Sequence, residues 1–423
     1  MTPSEHPRLW QSIGELRCNG ENHQPVALDP ALGEAHVADF EAALARTDPD
    51  PHVLNLLAEP EVRSFLAGVF CGSRYLRMLA MQSPERLVRV LDASPDAHLA
   101  ALIDALCAEA VGTEQPLKAW MTALRAFKAE AALVISLADL AGQWPIMRAT
   151  EALADVADAA CDAAVAYLFR AAQRKGDWLA DVDDKAPQRD SGLIVLAMGK
   201  HGARELNFSS DIDLIVFYER EKARLRDGLE PGQFFIRLTR DLVKLLNDRT
   251  ADGYVFRTDL RLRPDPGATQ VAISTESALH YYESFGQNWE RAAMIKARPA
   301  AGDIEAGRRF LDELAPFIWR KYLDFAAIAD IHAMKRQIHA HRGFKDIAVK
   351  GHNIKLGRGG IREIEFFAQT QQLIAGGRQP DLRAPRTLDT LARLAERGWI
   401  ETDVVGELDE AYRFLRTVEH RIQ

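Results

Sequence analysis

The chain has 423 residues, 47% of them hydrophobic and 27% charged, enough for roughly two to four domains with substantial cores. Its net charge of −8 excludes a general affinity for nucleic-acid polymers, because no overall basic field is present to recruit a phosphate backbone.

The N-terminus, "MTPSEHPRLW", lacks the basic start and apolar centre of a signal peptide. No uninterrupted apolar run of about 18 residues follows, so no membrane span and a cytoplasmic location are expected. The four cysteines, Cys18, Cys71, Cys107 and Cys161, lie far apart without a CxxC or Cys/His pairing. That spacing suits reduced thiols better than zinc or a disulfide framework.

From about residue 37 to 175 the pattern is helical almost throughout. "VADFEAALART", "PEVRSFLAGVF", "PERLVRVLDA" and "DAHLAALIDALCAEAV" carry apolar residues at helical spacing. "KAWMTALRAFKAEAALVISLADLAG" and the Ala-rich "EALADVADAACDAAVAYLFRAAQRKGDW" are longer examples. The polar stretch 179–191 reads as a surface loop, after which the periodicity changes. "GLIVLAMGK" (192–200) and "DIDLIVFYE" (211–219) read as strands, "GQFFIRLTRDLVKLLND" (232–248) as an amphipathic helix, and "GYVFRTDLRLRP" (253–264) as a third strand ended by Pro264. Helical spacing returns from about residue 302, through "IWRKYLDFAAIADIHAMKRQIHAHR", "GIREIEFFAQTQQLIAGG" and "ELDEAYRFLRTVEHRIQ". That last run has no stop signal, so the chain is expected to end inside an element. No internal repeat is present. The expected class is α+β, a small mixed sheet flanked by N-terminal and C-terminal helical regions.

The chemistry concentrates in "ELNFSSDIDLIVF", residues 205–217. Asp211 and Asp213 interrupt an apolar run, and a strand places residues i and i+2 on one face. Two carboxylates that close repel, so positive charge must face them. In "RTDLRLR" the same alternation predicts Arg257, Asp259, Arg261 and Arg263 on one face. If this strand pairs with the first, Asp259 joins Asp211 and Asp213 in an all-oxygen site suited to Mg²⁺ and to phosphoryl or nucleotidyl transfer. In "MGKHGARELNFSS", Gly199 and Gly202 free the backbone to approach a phosphate, and Ser209 and Ser210 are candidate hydroxyl donors. Lys200 either adds charge there or faces solvent. No Walker GxxxxGK[ST] occurs. An isolated DxD, glycine pair or RxDxRxR would be a surface edge, a turn or a solvated charge ladder. Their order and spacing together point to an active site.

"GLIVLAMGKHGARELNFSSDIDLIVFYE" resembles the nucleotidyltransferase superfamily that includes DNA polymerase β, and more closely the bifunctional glutamine synthetase adenylyltransferase/adenylyl-removing enzymes. "DGYVFRTDLRLRPDPG" (252–267), "YYESFGQNWERAAMIKARPAAGD" (281–303) and "NIKLGRGGIREIEFFAQ" (353–369) carry the closer match. The resemblance implies a polymerase β-like core over 141–302, with a helical region over 1–140 and a helical bundle over 303–423. It implies Asp211, Asp213 and Asp259 as the Mg²⁺-binding catalytic triad.

That family carries two catalytic copies, one removing AMP from a tyrosine of glutamine synthetase and one attaching it. "ELNFSSDIDLI" looks like the N-terminal, removing copy. The expected reaction is therefore phosphorolysis of adenylyl-tyrosine on adenylylated glutamine synthetase. Inorganic phosphate and an adenine nucleotide would be ligands, and the PII signalling protein, uridylylated or not, a regulatory partner. Arg257, Arg261, Arg263 and Lys296 are candidates to gather phosphate and neutralise charge. Glu290, Arg291 and Arg298 either bring charge to the site or hold domains together, and Trp289 either stacks or packs. Gly357, Gly359 and Gly360 precede a helix whose N-terminus could face an anion; Arg362, Glu363 and Glu365 suit a salt-bridge network. The alternatives are ATP-dependent adenylylation by the same site, a PII-responsive module without catalysis, and small-molecule nucleotidyl transfer.

Overall fold

The structure, a computed structural model, describes residues 7–18, 24–112, 114–179, 186–321 and 351–423. It divides into two compact units. One comprises Met1–Glu109, Glu114–Val156 and Ala251–Gly253, and the other Ala110–Thr113, Ala157–Thr250 and Tyr254–Gln423.

The first unit is helical, as the spacing predicts: α1 (Leu9–Cys18), α2 (Pro30–Leu44), α3 (Pro51–Ala58), α4 (Pro60–Gly72), α5 (Arg74–Gln82), α6 (Pro84–Leu91), α7 (Pro95–Gly112), α8 (Leu117–Leu140) and the start of α9 (Ile146–Arg174). Several starts are written locally. Proline takes the first turn of α2, α3, α4 and α6, where its missing N–H costs nothing. The side chains of Asp29, Asp50 and Ser73 accept from Leu32 N, His52 N and Leu76 N at 3.1, 2.8 and 3.2 Å. Phe40, Phe65, Leu66, Trp120, Leu124 and Val134 are buried in this unit. Among the described residues no helix is long and apolar enough to cross a membrane.

The second unit is α+β. Its strands are β1 (Leu193–Ala197), β2 (Ile212–Tyr218), β3 (Thr258–Asp259), β4 (Ala272–Ser274) and β5 (Arg298–Gly302). β1 lies antiparallel between β2 and β5, while β3 and β4 pair parallel with successive halves of β2. The sheet is therefore small and mixed. Every residue of β1 is fully buried. The remaining helices are α10 (Gly199–Gly202), α11 (Pro231–Asn247), α12 (Thr275–Ser284), α13 (Asn288–Met294), α14 (Ile304–Ile318), α15 (Ile361–Ala375), α16 (Thr387–Glu396) and α17 (Thr402–Ile422).

One face of the sheet packs Ile194, Leu196, Ile215 and Phe217 against Tyr282, Met294, Phe310 and Leu314 of α12, α13 and α14. Strand parity puts Asp211 and Asp213 in the same row as Ile215 and Phe217. The row is apolar at its C-terminal end, where the helices cover it, and acidic at its N-terminal end.

The third strand is shorter than alternation predicts. Only Thr258 and Asp259 form β3, and the chain turns at Arg261 through Pro264. The helix expected over 318–342 lies outside the described residues beyond Lys321.

Candidate active site

The pairing inferred from sequence is present: Asp213 of β2 sits in register with Asp259 of β3, beside Ile212 opposite Thr258. Ile212 N donates to Arg257 O at 2.9 Å, extending the pairing by one residue. Asp211, Asp213 and Asp259 share a cavity of about 590 Å³ with Gly199, Lys200, Ser209, Ser210, Arg257, Arg261 and Lys296. Lys355, Arg362, Glu365, Phe366 and Gln369 complete its lining.

The positive charge demanded by the paired aspartates comes from two arginines. Arg257 Nε lies 2.5 Å from Asp211 Oδ1, and its Nη2 donates to Ser209 O at 2.5 Å. Arg261 Nη2 lies 2.5 Å from Asp259 Oδ2, and Asp259 Oδ1 also accepts from Arg261 N at 2.8 Å. The hydrogen bond from Arg261 holds the Asp259 carboxyl below the ordinary carboxylate range. Asp213 is different. Burial first, then the charges of Asp259 and Asp211, push it up to about 6.

Among the described residues no three carboxylate, imidazole or thiol side chains already form a metal cage, because Asp211 and Asp259 are each turned onto an arginine. The donor set nevertheless fits a hard divalent cation: three carboxylates brought together by adjacent strands, one pushed upward by burial and then by the charge of the other two. Gly199 leaves them room. At φ +54°, an added Cβ there would lie 2.9 Å from Asp213 Oδ2.

The turn before β2 is anchored from several sides. His201 Nε2 pairs with Asp158 Oδ1 of α9 at 2.7 Å. Arg298 bridges Asp158 Oδ2 at 2.7 Å and Gly202 O at 3.1 Å. Gly202 does not line the cavity. Its missing side chain admits another backbone, since a Cβ would lie 1.9 Å from Lys296 O and 2.6 Å from Ala197 O. Gly202→Ala is therefore expected to lower stability by about 1–3 kcal/mol through overpacking. Thermal unfolding checks this, and an unchanged melting temperature would contradict it.

The remaining sequence candidates divide between the cavity and its supports. Ser209 and Ser210 line the cavity. Lys200 lines it too, but Nζ lies 3.4 Å from Glu419 Oε2, and burial holds the ammonium down to about 8. Lys296 is also at the wall, with Nζ 3.3 Å from Glu205 Oε2 and 3.5 Å from Thr387 Oγ1. Arg263 does not line the cavity. Beyond the short β3 its guanidinium turns onto the carbonyls of Leu260, Pro266 and Thr269 at 2.8, 2.8 and 3.3 Å. It reaches Asp259 only through the field.

Glu290 and Arg291 are structural. Glu290 closes a capping box with Gln287 at the start of α13, and the buried Arg291 donates to Phe317 O at 3.0 Å. The N-terminus of α15 is not an anion seat. Ile361 N and Arg362 N donate to Ile354 O and Lys355 O at 2.9 and 3.0 Å, and Gly359 N to Glu363 Oε2 at 2.7 Å.

Lys355, Phe366 and Gln369 were not singled out from the sequence. The signal for the last two is helical spacing: Arg362, Glu365, Phe366 and Gln369 recur at i, i+3, i+4 and i+7 on one face of α15. Lys355 follows no such period.

Comparison with known proteins agrees with this geometry. A family model described as glutamate-ammonia ligase adenylyltransferase matches residues 64–313, and one described as GlnD PII-uridylyltransferase matches 331–423. Three curated relatives share the name bifunctional glutamine synthetase adenylyltransferase/adenylyl-removing enzyme. That of Xanthobacter autotrophicus is 54% identical over 400 residues, 93% of this chain and 40% of the relative. That of Bradyrhizobium diazoefficiens is 54% identical over 389 residues, 91% and 39%, and that of Brucella suis 53% over 397, 94% and 40%. The chain thus spans about two-fifths of the length of the curated relatives it matches. Since β2 and β3, the strands that bring the three aspartates together, fall inside the first matched span, the chain belongs to the glutamate-ammonia ligase adenylyltransferase family.

Proposed function

We propose that this chain removes the adenylyl group from adenylyl-tyrosine of glutamine synthetase by Mg²⁺-dependent phosphorolysis, yielding ADP and unmodified synthetase. The observation that carries this reading is the register of Asp213 with Asp259 beside Asp211, in a cavity rich in basic side chains. The relatives' name, which includes removal of adenylyl groups, supplies the substrate. The likeness of "ELNFSSDIDLI" to the family's removing copy favours the removing direction.

Asp211, Asp213 and Asp259 would hold the ion, which supplies charge neutralisation at the α-phosphate and at the leaving phenolate. Arg257 and Arg261, already bonded to two of those carboxylates, are placed to transfer their hydrogen bonds to phosphoryl oxygens as charge moves in the transition state. Ser209 and Ser210 are placed to donate to the same oxygens. The phenolate, with an ordinary pKa of about 10, is the difficult leaving group. Phosphate is anionic near neutrality, and little general-base assistance is needed. The match of residues 331–423 to PII-uridylyltransferase supports PII, uridylylated or not, as the partner that sets the rate.

The opposite direction is a second reading, favoured by the family description itself, which names an adenylyltransferase. Adenylylated synthetase incubated with this chain, Mg²⁺ and phosphate, with and without uridylylated PII, separates the two. Phosphate-dependent ADP that Asp211→Asn abolishes is the expected result. Incorporation of AMP from ATP into unmodified synthetase, without ADP release, would reverse the direction. Silence in both assays would rule out catalysis by this chain.

A further inference from the structure

The basic side chains of the cavity are not equivalent. Six line it, Lys200, Arg257, Arg261, Lys296, Lys355 and Arg362, against four carboxylates, Asp211, Asp213, Asp259 and Glu365. Four of the six are committed: Arg257 to Asp211, Arg261 to Asp259, Lys200 to Glu419 and Lys296 to Glu205. The Lys355 ammonium and the Arg362 guanidinium make no hydrogen bond or ion pair among the described residues. These two come from one segment. Lys355 precedes the glycine turn, Arg362 begins α15, and the backbone joins them through Arg362 N donating to Lys355 O at 3.0 Å.

Glu365, on the same wall, is answered mainly by other cations. Burial disfavours its charge, but Lys296, Lys200 and Arg416, and least of the four Arg362, outweigh that effect and hold it ionised. Tyr412 OH donates to its Oε1 at 3.2 Å. Glu365 is therefore answered by neighbours other than Lys355. On the other side, Lys355 lies near enough to Asp213 to lower the cost of its charge. An anion on Lys355 would thus sit beside the aspartates rather than in a separate compartment.

We propose that Lys355 and Arg362 together form the seat of the attacking inorganic phosphate, an assignment that rests on the phosphorolysis reading above. Two uncommitted cations suit the doubly charged hydrogen phosphate ion, and the guanidinium fork can grip two of its oxygens while the ammonium takes a third. From this seat one phosphate oxygen attacks the α-phosphorus of adenylyl-tyrosine. The new P–O bond forms as the bond to the tyrosine oxygen breaks. The proton of hydrogen phosphate ends on the departing phenolate, so ADP and tyrosine account for every atom and charge. The adenylyl phosphate itself would stay with the aspartates, Arg257 and Arg261.

Initial rates of ADP release, measured against phosphate at saturating adenylylated synthetase and against the synthetase at saturating phosphate, test the division of labour. Lys355→Ala and Arg362→Ala are each expected to raise the KM for phosphate about tenfold, the loss of one charge-assisted contact. The KM for adenylylated synthetase should stay within about twofold. Arg362→Lys should recover part of the loss, because charge survives without the fork. Neither side chain makes a hydrogen bond among the described residues, and melting temperatures should match the parent chain.

If the parent chain releases no ADP with phosphate, the phosphorolysis reading fails and this assignment with it. If the parent is active and both variants keep its phosphate KM, only the assignment fails. A fall in kcat with unchanged phosphate KM would likewise overturn it, placing these residues at the transition state instead of in phosphate capture.

Discussion

Asp213→Asn is expected to abolish turnover and, at the same time, to stabilise the chain in the absence of divalent cations. Asp213 is mostly buried between two other carboxylates, and its own carboxylate makes no hydrogen bond among the described residues. Its folded-state pKa, about 6, lies above the ordinary 3.8. Folded protein therefore binds more protons than unfolded protein between those two values, and stability falls as pH rises through that window. Below about pH 4 the group is protonated in both states and the penalty vanishes. Above about pH 6 it is complete, with an upper limit of about 3 kcal/mol for a shift of roughly two units.

An asparagine carries no such penalty. The variant should melt higher than the parent at pH 7.5, and the gain should shrink to nothing near pH 4. Adding Mg²⁺ should raise the parent's melting temperature and leave the variant's almost unchanged, because a ligand stabilises only the state that binds it. ADP release by the variant should fall at least about a hundredfold, the scale of losing one electrostatic contributor to the transition state. Melting curves across pH with and without Mg²⁺, beside the ADP assay, decide it. A variant that is both active and less stable at pH 7.5 would contradict this account of the triad.

The sequence announced this site unevenly, for physical reasons. β2 was legible because two aspartates in an apolar run are costly enough to require an explanation, and strand parity then oriented them. The helices of the first unit were legible from apolar spacing and from Pro and Asp at their starts. "RTDLRLR" misled in one respect. The strand was expected over 253–264, yet only Thr258 and Asp259 form β3, and Arg263 finds carbonyl acceptors in its own turn. A local pattern shows which side chains could share a face; it cannot show where the partner strand stops offering hydrogen bonds.

Gly202 misled in another way. The sequence suggested a backbone opened toward phosphate, whereas the glycine makes room for the backbone at Lys296. Lys296 itself is separated by 91 residues from Glu205, the carboxylate that holds it. No period or spacing connects such partners. The same is true of Lys355 and Asp213, whose charge it eases from a distant part of the sequence.

The second large effect is expected at Arg416 of α17, which sequence reading passed over. This side chain is fully buried. Its Nη2 donates to Glu205 O at 2.7 Å and also to Asn207 Oδ1, and its Nη1 to Tyr412 OH at 3.0 Å. Its Nε lies 3.5 Å from Glu419 Oε2. The Glu205 carboxylate beside it is held by Lys296 and by Thr387, whose N and Oγ1 donate at 2.7 and 3.0 Å. This network ties α16 and α17 to residues 205–207, the start of the loop that delivers Ser209, Ser210 and Asp211. Phe208 packs on His420, with ring centroids 4.8 Å apart, and continues the grip.

Removing one partner of a buried ionic network leaves the others uncompensated, at a cost of about 3–5 kcal/mol. Arg416→Ala should therefore lower the denaturant midpoint strongly and speed amide exchange through residues 205–211 before the rest of the sheet opens. ADP release should fall with it, since an unfastened loop no longer presents Asp211 in line with Asp213. Arg416→Lys should be intermediate, because one ammonium cannot reach acceptors that a guanidinium spans. The distinguishing measurement is amide exchange on Arg416→Lys under conditions where it remains folded. Faster exchange confined to 205–211 with reduced turnover would mark Arg416 as a positioning residue for the aspartate loop. Uniform acceleration across the sheet would mean that Arg416 supports the whole unit and has no particular hold on the site.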